Sequence, residues 1–212
     1  WQLRLSVNGR TIESEFPLPG RFQLLNALCA LSLAIVCGAK PDEAAAALPG
    51  LEPVPGRLEV AARLPNNATA IVDFAHTPDA LRTVLKALRP FVDGRLTVLF
   101  GAGGDRDAGK RSVMGEIAAR FADRVIVTDD NPRGEDAAEI RRQVMAGCPA
   151  AQEIGDRAEA IRAGVSALGP GDILVVAGKG HETGQIVGTE TLPFNEFDAV
   201  RAAVQALPGS KS

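Results

Sequence analysis

Three cysteines, two histidines, one tryptophan and no tyrosine in 212 residues leave several kinds of protein without their raw material. Cys29, Cys37 and Cys148 are an odd number without CxxC spacing. Cys29 and Cys37 would also lie about 12 Å apart along one helix, so a mutual disulfide is excluded. All three are expected as reduced, small core residues of a cytoplasmic protein. A metal site would need both His76 and His181 plus carboxylates from distant loops, and none is expected. Neither charge sign dominates: 23 basic against 26 acidic residues give a net charge of −3, without the basic footprint that nucleic acid requires. The longest apolar run, Leu24 to Gly38, is interrupted by Asn26 and Ser32 and falls short of the ~20 residues of a bilayer span. It reads as a buried helix. A basic start leading into an apolar stretch and a cleavage site is missing, so secretion is not indicated, and no solenoid-period repeat is visible.

What is present is ordinary globular material, 46% apolar and 23% charged, with glycine and proline punctuating apolar runs as turns. Leu3 to Val7 alternates apolar with polar, Asn8-Gly9 supplies a tight turn, and Thr11 to Phe16 resumes the extended pattern, which predicts a hairpin. Helices follow at 22–37 and Asp42–Leu48. Pro49, Gly50, Pro53, Pro55 and Gly56 then mark a boundary near residue 56. Beyond it, strand-length apolar runs at 69–74, 95–100, 124–128, 151–154 and 172–177 alternate with segments of helical period, such as Leu81, Val84, Leu85 and Leu88. That alternation predicts an α/β fold, a mostly parallel sheet with helices on both faces. Gln185 to Leu192 reads as a short hairpin, and Asn195 opens a terminal helix.

In such a fold, ligands are expected beyond the carboxyl ends of the strands, where helix N-termini present unpaired N–H groups. Four loops qualify. Gly101 to Arg111 contains GxxxxGK but is a poor phosphate cradle, because Arg111 stands where a Ser or Thr should bind Mg²⁺ and Asp105 and Asp107 add negative charge. Its Arg106 is a fork suited to a carboxylate. Thr128 to Arg133 combines Asp130, Asn131 and Arg133, which can read a zwitterion, or can equally form a solvated turn with an Asp cap. Ala177 to Glu182 places Lys179, His181 and Glu182 on a glycine-rich turn. In Asp73 to Pro78, Asp73 can accept ribose hydroxyls or cap the next helix. No Ser-His-Asp order or nucleophile elbow appears.

Taken in order, Asp73-Phe74-Ala75-His76-Thr77-Pro78-Asp79-Ala80-Leu81, Phe100 to Arg111, Asp129-Asp130-Asn131-Pro132-Arg133 and Ala177 to Glu182 resemble the C-terminal part of a Mur ligase. Gly20-Arg21-Phe22 through Asn26 extends the likeness, with Gln23 where the family more often has Asn. The resemblance implies a Rossmann-like C-terminal domain at 56–212, preceded at 1–55 by the tail of a central ATPase domain, and so a fragment. It implies that Arg106, Asp130, Asn131, Pro132, Arg133, Gly178 and Glu182 bind meso-diaminopimelate, and that Asn26, Arg57, Asp73 and His76 face a nucleotide. The implied activity is ATP-dependent amide formation with a UDP-N-acetylmuramoyl dipeptide in peptidoglycan biosynthesis. ATP and Mg²⁺ would be held mainly by the absent central domain, and the protein would be monomeric. The chain alone is then expected to bind its amino acid weakly and not to turn over ATP. Asp-Asn-Pro-Arg argues against the lysine-adding and folylpolyglutamate members. A stand-alone module binding an amino acid or nucleotide without catalysis, or a nucleotidase built on Gly104 to Lys110, would account for parts of the same pattern.

Overall fold

The computed structural model describes residues 1–208 and divides the chain into two compact units, Trp1–Val54 and Pro55–Ser212. In the first, β1 (Gln2–Val7) and β2 (Arg10–Glu15) form an antiparallel hairpin in which Val7 faces Arg10. Asn8 and Gly9 turn it with φ of 49° and 79°, the left-handed pair that matches strand twist. Phe16, Ala27 and Leu48 make a small core under this hairpin, α1 (Arg21–Val36) and α2 (Pro41–Ala46).

That core is too small to cover α1, which corrects the expectation of a buried helix. Only Gln23, Ala27 and Leu31 are buried, whereas Leu33 and Val36 are 61% and 84% exposed. Cys29 and Cys37 share this outward position, so of the three cysteines only Cys148 is a core residue, although all are free as expected.

The second unit is built on a six-stranded sheet in the order β3-β4-β8-β5-β6-β7. Its strands are β3 (Glu59–Arg63), β4 (Thr69–Asp73), β5 (Leu96–Phe100), β6 (Arg124–Val127), β7 (Gln152–Glu153) and β8 (Ile173–Ala177). All pairings are parallel except β3 with β4. The edge strand β3 is the one the sequence reading misses. Glu-Val-Ala-Ala-Arg has little β-branched content, and its register shifts between Val60 and Ala62.

Every residue of β4, β5 and β8 is buried, as strands covered on both faces must be. Ala70, Val72, Leu174 and Val176 meet α6 (Arg157–Ser166) and α7 (Glu196–Gln205) in one cluster with Ile161, Val165 and Val200. Ile71, Val98 and Val175 alternate to the other face, the side of α3 (Pro78–Leu88), α4 (Lys110–Phe121) and α5 (Ala137–Met145). On α3, Leu81, Val84, Leu85 and Leu88 are at most 3% exposed, a stripe whose burial contributes roughly 6–12 kcal/mol before chain entropy is charged against it. Thr77 caps that helix by accepting from the Ala80 amide, with Pro78 in its first turn.

The strand order determines where the loops meet. The chain runs outward from β4 through β5 and β6 to β7, then returns to insert β8 between β4 and β5. The loop after β8 is thereby placed between the loops after β4 and β5, at the carboxyl ends of the strands. A final hairpin, β9 (Gly184–Val187) with β10 (Glu190–Pro193), extends from it.

Candidate functional site

A cavity of about 230 Å³ opens among those carboxyl ends, below the roughly 300–1,000 Å³ of drug-sized sites and suited to a ligand of amino-acid size. Arg106, Asp130, Asn131, Arg133, Gly178 and Glu182 all line it. Residues from three loops, 24 to 76 positions apart in sequence, thus face one space.

The Asp130 to Arg133 segment is held to the β5 loop by backbone. The Gly104 amide donates to Asn131 O at 2.9 Å, and Arg133 Nη1 donates to Gly104 O at 2.9 Å. Gly104 has no room for a side chain, since a Cβ would fall 1.8 Å from Pro132 O. Arg133 itself takes a φ of 51°, which aims its guanidinium back across the loop. Pro132 is buried and is not among the residues lining the cavity; its carbonyl packs against Gly104.

Lys179 fixes the other wall. It is fully buried at the carboxyl end of β8, and its Nζ donates to Asn131 Oδ1 at 2.9 Å and to Glu182 Oε2 at 2.8 Å. Asn131 Oδ1 also accepts from the Ile186 amide at 2.9 Å, which leaves Nδ2 to donate to Glu182 Oε2 at 3.1 Å. The amide orientation is therefore determined by its partners. The bonds from Lys179 and Asn131 both fall on Glu182 Oε2, and Asp130 lines the cavity with Glu182. Gly178, at φ 124°, must be glycine, because a Cβ would meet Asp130 Oδ2 at 2.7 Å.

Charge is divided across the space. Asp130 and Glu182 present oxygens, whereas Arg106, Arg133 and Lys110 present donors, and among the described residues none of these three has a carboxylate within ion-pair distance. Lys110, set aside in the sequence with the poor phosphate loop, donates to His76 O at 2.9 Å. Partial burial pulls its ammonium below the ordinary lysine value, opposed by Asp130 and Asp107. Phe74, His76 and Thr77 also line the cavity, with Gly101 to Gly103.

The residues expected to face a nucleotide are distributed differently. Arg57 lies over the Phe74 ring at 4.6 Å, and His76 packs edge-on against the same ring, its Nδ1 2.8 Å from Phe74 O. Asp73, 3% exposed, accepts from the Leu58 and Ala75 amides at 2.8 Å each. Burial raises its carboxyl above the ordinary value despite those amides and Arg57. Its carboxylate anchors the turn rather than reaching into solvent. Asn26 is exposed on α1 in the first unit.

Behind the lining are charged residues with no local sequence signal. Arg157 and Glu196 are wholly buried partners: Arg157 also donates to Asp129 O and Ala177 O, and Glu196 Oε2 accepts from the Gly180 amide at 3.0 Å. Gln185 Nε2 donates to Asp130 O at 2.6 Å. A larger cavity, about 340 Å³, lies beside the amino ends of β6 and β7, far from these groups. Among the described residues no cluster of three or more His, Cys, Asp or Glu side chains is placed to hold a metal ion. Nor is any helix long and apolar enough to cross a membrane.

Residues 56–180 match the family model described as Mur ligase, glutamate ligase domain. The UDP-N-acetylmuramoyl-L-alanyl-D-glutamate–2,6-diaminopimelate ligase of Agrobacterium fabrum is 56% identical over 204 residues, which is 96% of this chain and 42% of that protein. Its namesake from Brucella melitensis is 53% identical over the same shares of each chain. A solved structure of a ligase bearing this name superposes with a TM-score of 0.71 at 38% identity, covering 97% of this chain and 42% of that one. The chain thus spans less than half the length of the curated relatives it matches.

Proposed function

The chain belongs to the Mur ligase family, and from that premise we propose that it is the amino-acid-binding part of the ligase that joins meso-diaminopimelate to UDP-N-acetylmuramoyl-L-alanyl-D-glutamate. One observation carries the choice of amino acid. Arg106, Lys110 and Arg133, without carboxylate partners, share a cavity with the oxygens of Asp130 and Glu182. Diaminopimelate bears two ammonium and two carboxylate groups, so it satisfies both walls at once. Lysine lacks the second carboxylate and would leave one guanidinium unpaired in a half-buried site.

In the reaction we assign, an amine of diaminopimelate attacks an activated D-glutamyl carboxyl group, an amide bond forms and phosphate leaves. This part of the protein contributes orientation of the amine, an entropic advantage. Asp130, Asn131, Arg133, Gly178, Glu182 and Arg106 hold the amino acid, and Pro132 fixes the turn that aims Arg133. We assign Arg57, His76 and Asn26 to the nucleotide side, with Asp73 holding the turn under Phe74. ATP phosphates and Mg²⁺ belong to the portion of the whole protein that lies outside this chain, with residues 1–55 as the tail of that ATP-binding portion.

Titration of the ¹⁵N-labelled chain with meso-diaminopimelate, L-lysine and ATP tests the reading. Shifts in the amides of 130–133 and 178–182 should saturate with diaminopimelate at a concentration at least about tenfold below that needed for lysine. Equal response to both amino acids refutes it, and tight ATP binding without diaminopimelate binding would favour a nucleotide module instead.

A further inference from the structure

Arg106 and Arg133 stand on separate loops, so what they recognise depends on how far apart those loops are held. The link between the loops is Arg111, 1% exposed in the first turn of α4. Its Nη1 and Nη2 donate to Glu135 Oε2 and Oε1, both at 2.8 Å, in the bidentate fork that fixes a carboxylate most firmly. Nη1 also reaches Gln143 Oε1 at 2.8 Å, and Nη2 reaches Gly103 O at 3.1 Å. Glu135 Oε1 in turn accepts from the Asp105 amide at 2.6 Å, and Asp105 Oδ2 accepts from the Gly134 amide at 3.0 Å.

Each loop therefore supplies a carboxylate to the backbone of the other, immediately beside the arginine that lines the cavity. Asp105, preceding Arg106, and Arg133 both occupy left-handed backbone, at φ 53° and 51°, conformations that persist only when surrounding bonds over-determine them. Neither Arg111 nor Glu135 lines the cavity. Glu135 is kept ionised by the guanidinium beside it, which holds its carboxyl below the usual range.

We propose that the Arg111–Glu135 pair is a specificity-determining positioning element, which sets the separation of the Arg106 and Arg133 guanidiniums and thereby selects an amino acid with a second carboxylate at that distance. The proposal rests on the assignment of this cavity to diaminopimelate.

The test is the ratio of affinities. The chain and its Glu135→Gln and Arg111→Lys variants are titrated with meso-diaminopimelate and with L-lysine by ¹H–¹⁵N NMR, which reports folding and binding together. Both variants should lose about tenfold or more of the preference for diaminopimelate, with lysine binding changed by no more than about twofold. A merely structural prop would weaken both ligands equally, and that result, or an unchanged ratio, overturns the proposal. Should either variant fail to fold, Glu135→Asp decides, because it keeps the charge but withdraws the carboxylate by one methylene: the ratio must still fall. A wild-type chain without any preference removes the cavity assignment and this inference together. A wild-type preference that all variants retain removes this inference alone.

Discussion

Removing Glu196 isolates the cost of a buried charge behind the cavity. Arg157 and Glu196 have no side-chain exposure, and the guanidinium has further acceptors only in Asp129 O at 3.1 Å and Ala177 O at 2.8 Å. Glu196→Ala leaves Nε without an acceptor, reduces Nη2 to the Ala177 carbonyl, and strands the Gly180 amide. Breaking a buried pair on one side costs about 3–5 kcal/mol, a third or more of the stability of many domains. For a unit of roughly 150 residues this corresponds to a fall in Tm of roughly 6–20 °C.

Glu196→Gln keeps an acceptor oxygen and should lose about half as much. An Arg157→Met, Glu196→Leu double variant removes the stranded charge but leaves the Asp129 and Ala177 carbonyls and the Gly180 amide without partners. It should therefore be more stable than Glu196→Ala yet below wild type. Thermal unfolding followed by circular dichroism on these chains gives the losses, and adding the Arg157→Met and Glu196→Leu single variants closes the cycle that gives the coupling. A loss under about 1 kcal/mol for Glu196→Ala would refute the reasoning, since it would mean that water reaches the guanidinium in the folded chain.

Four further outcomes follow from other parts of the molecule. Gly104→Ala should separate the loops at Pro132 O and abolish most diaminopimelate-induced NMR shifts, whereas a Gly→Ala change at exposed Gly50, which has open space, should leave them unchanged. Arg133→Ala should bring the response to diaminopimelate down to that of lysine in the same titration. Cys29 and Cys37 should alkylate rapidly at pH 8 while Cys148 reacts only on unfolding, because burial pushes its thiol up to about 11; mass spectrometry after brief iodoacetamide treatment should find two adducts. Asp123 bonds to Arg89 and the Leu96 amide, which hold its carboxyl below the ordinary value of 3.8. Its contribution is therefore present above about pH 4 and lost as pH falls through the folded-state value, so the Tm difference between wild type and Asp123→Asn should be constant at neutral pH and shrink in acid.

The parallel strands and most of their helices, though not α5, were legible because each obeys a local rule. Ile173 to Ala177 is a continuous apolar run, Leu81 to Leu88 keeps helical spacing, and Thr77-Pro78 and Asn195 are start signals whose side chains do cap. The four loops that line the cavity were legible from position alone, as carboxyl ends of strands. What was not legible has one physical cause, which is partnership across sequence. Lys179 is a buried cation only because Asn131 lies 48 residues away, and Arg157 needs Glu196 at 39. Lys110 was set aside with a phosphate loop it does not form, while its place in the cavity depends on the His76 carbonyl of another loop. The outward face of α1 escaped for the opposite reason: an apolar pattern says that a helix wants a partner, not that this chain contains one.

Two kinds of charge occupy this end of the sheet, and their difference is the strongest physical argument for a ligand. Arg111, Arg157 and Lys179 are buried and paired with Glu135, Glu196 and Glu182, as desolvated cations must be. Arg106, Lys110 and Arg133, a few residues away, hydrogen-bond to backbone carbonyls and form no ion pair among the described residues, although Asp130 and Asp107 lie near Lys110. Among the described residues each fully buried cation is paired, whereas these three, exposed or half-buried, bring their donors to a single concavity without a carboxylate at ion-pair distance. On the proposed reading, anionic groups entering that concavity take up those donors, and the facing Asp130 and Glu182 favour entrants that also carry positive charge.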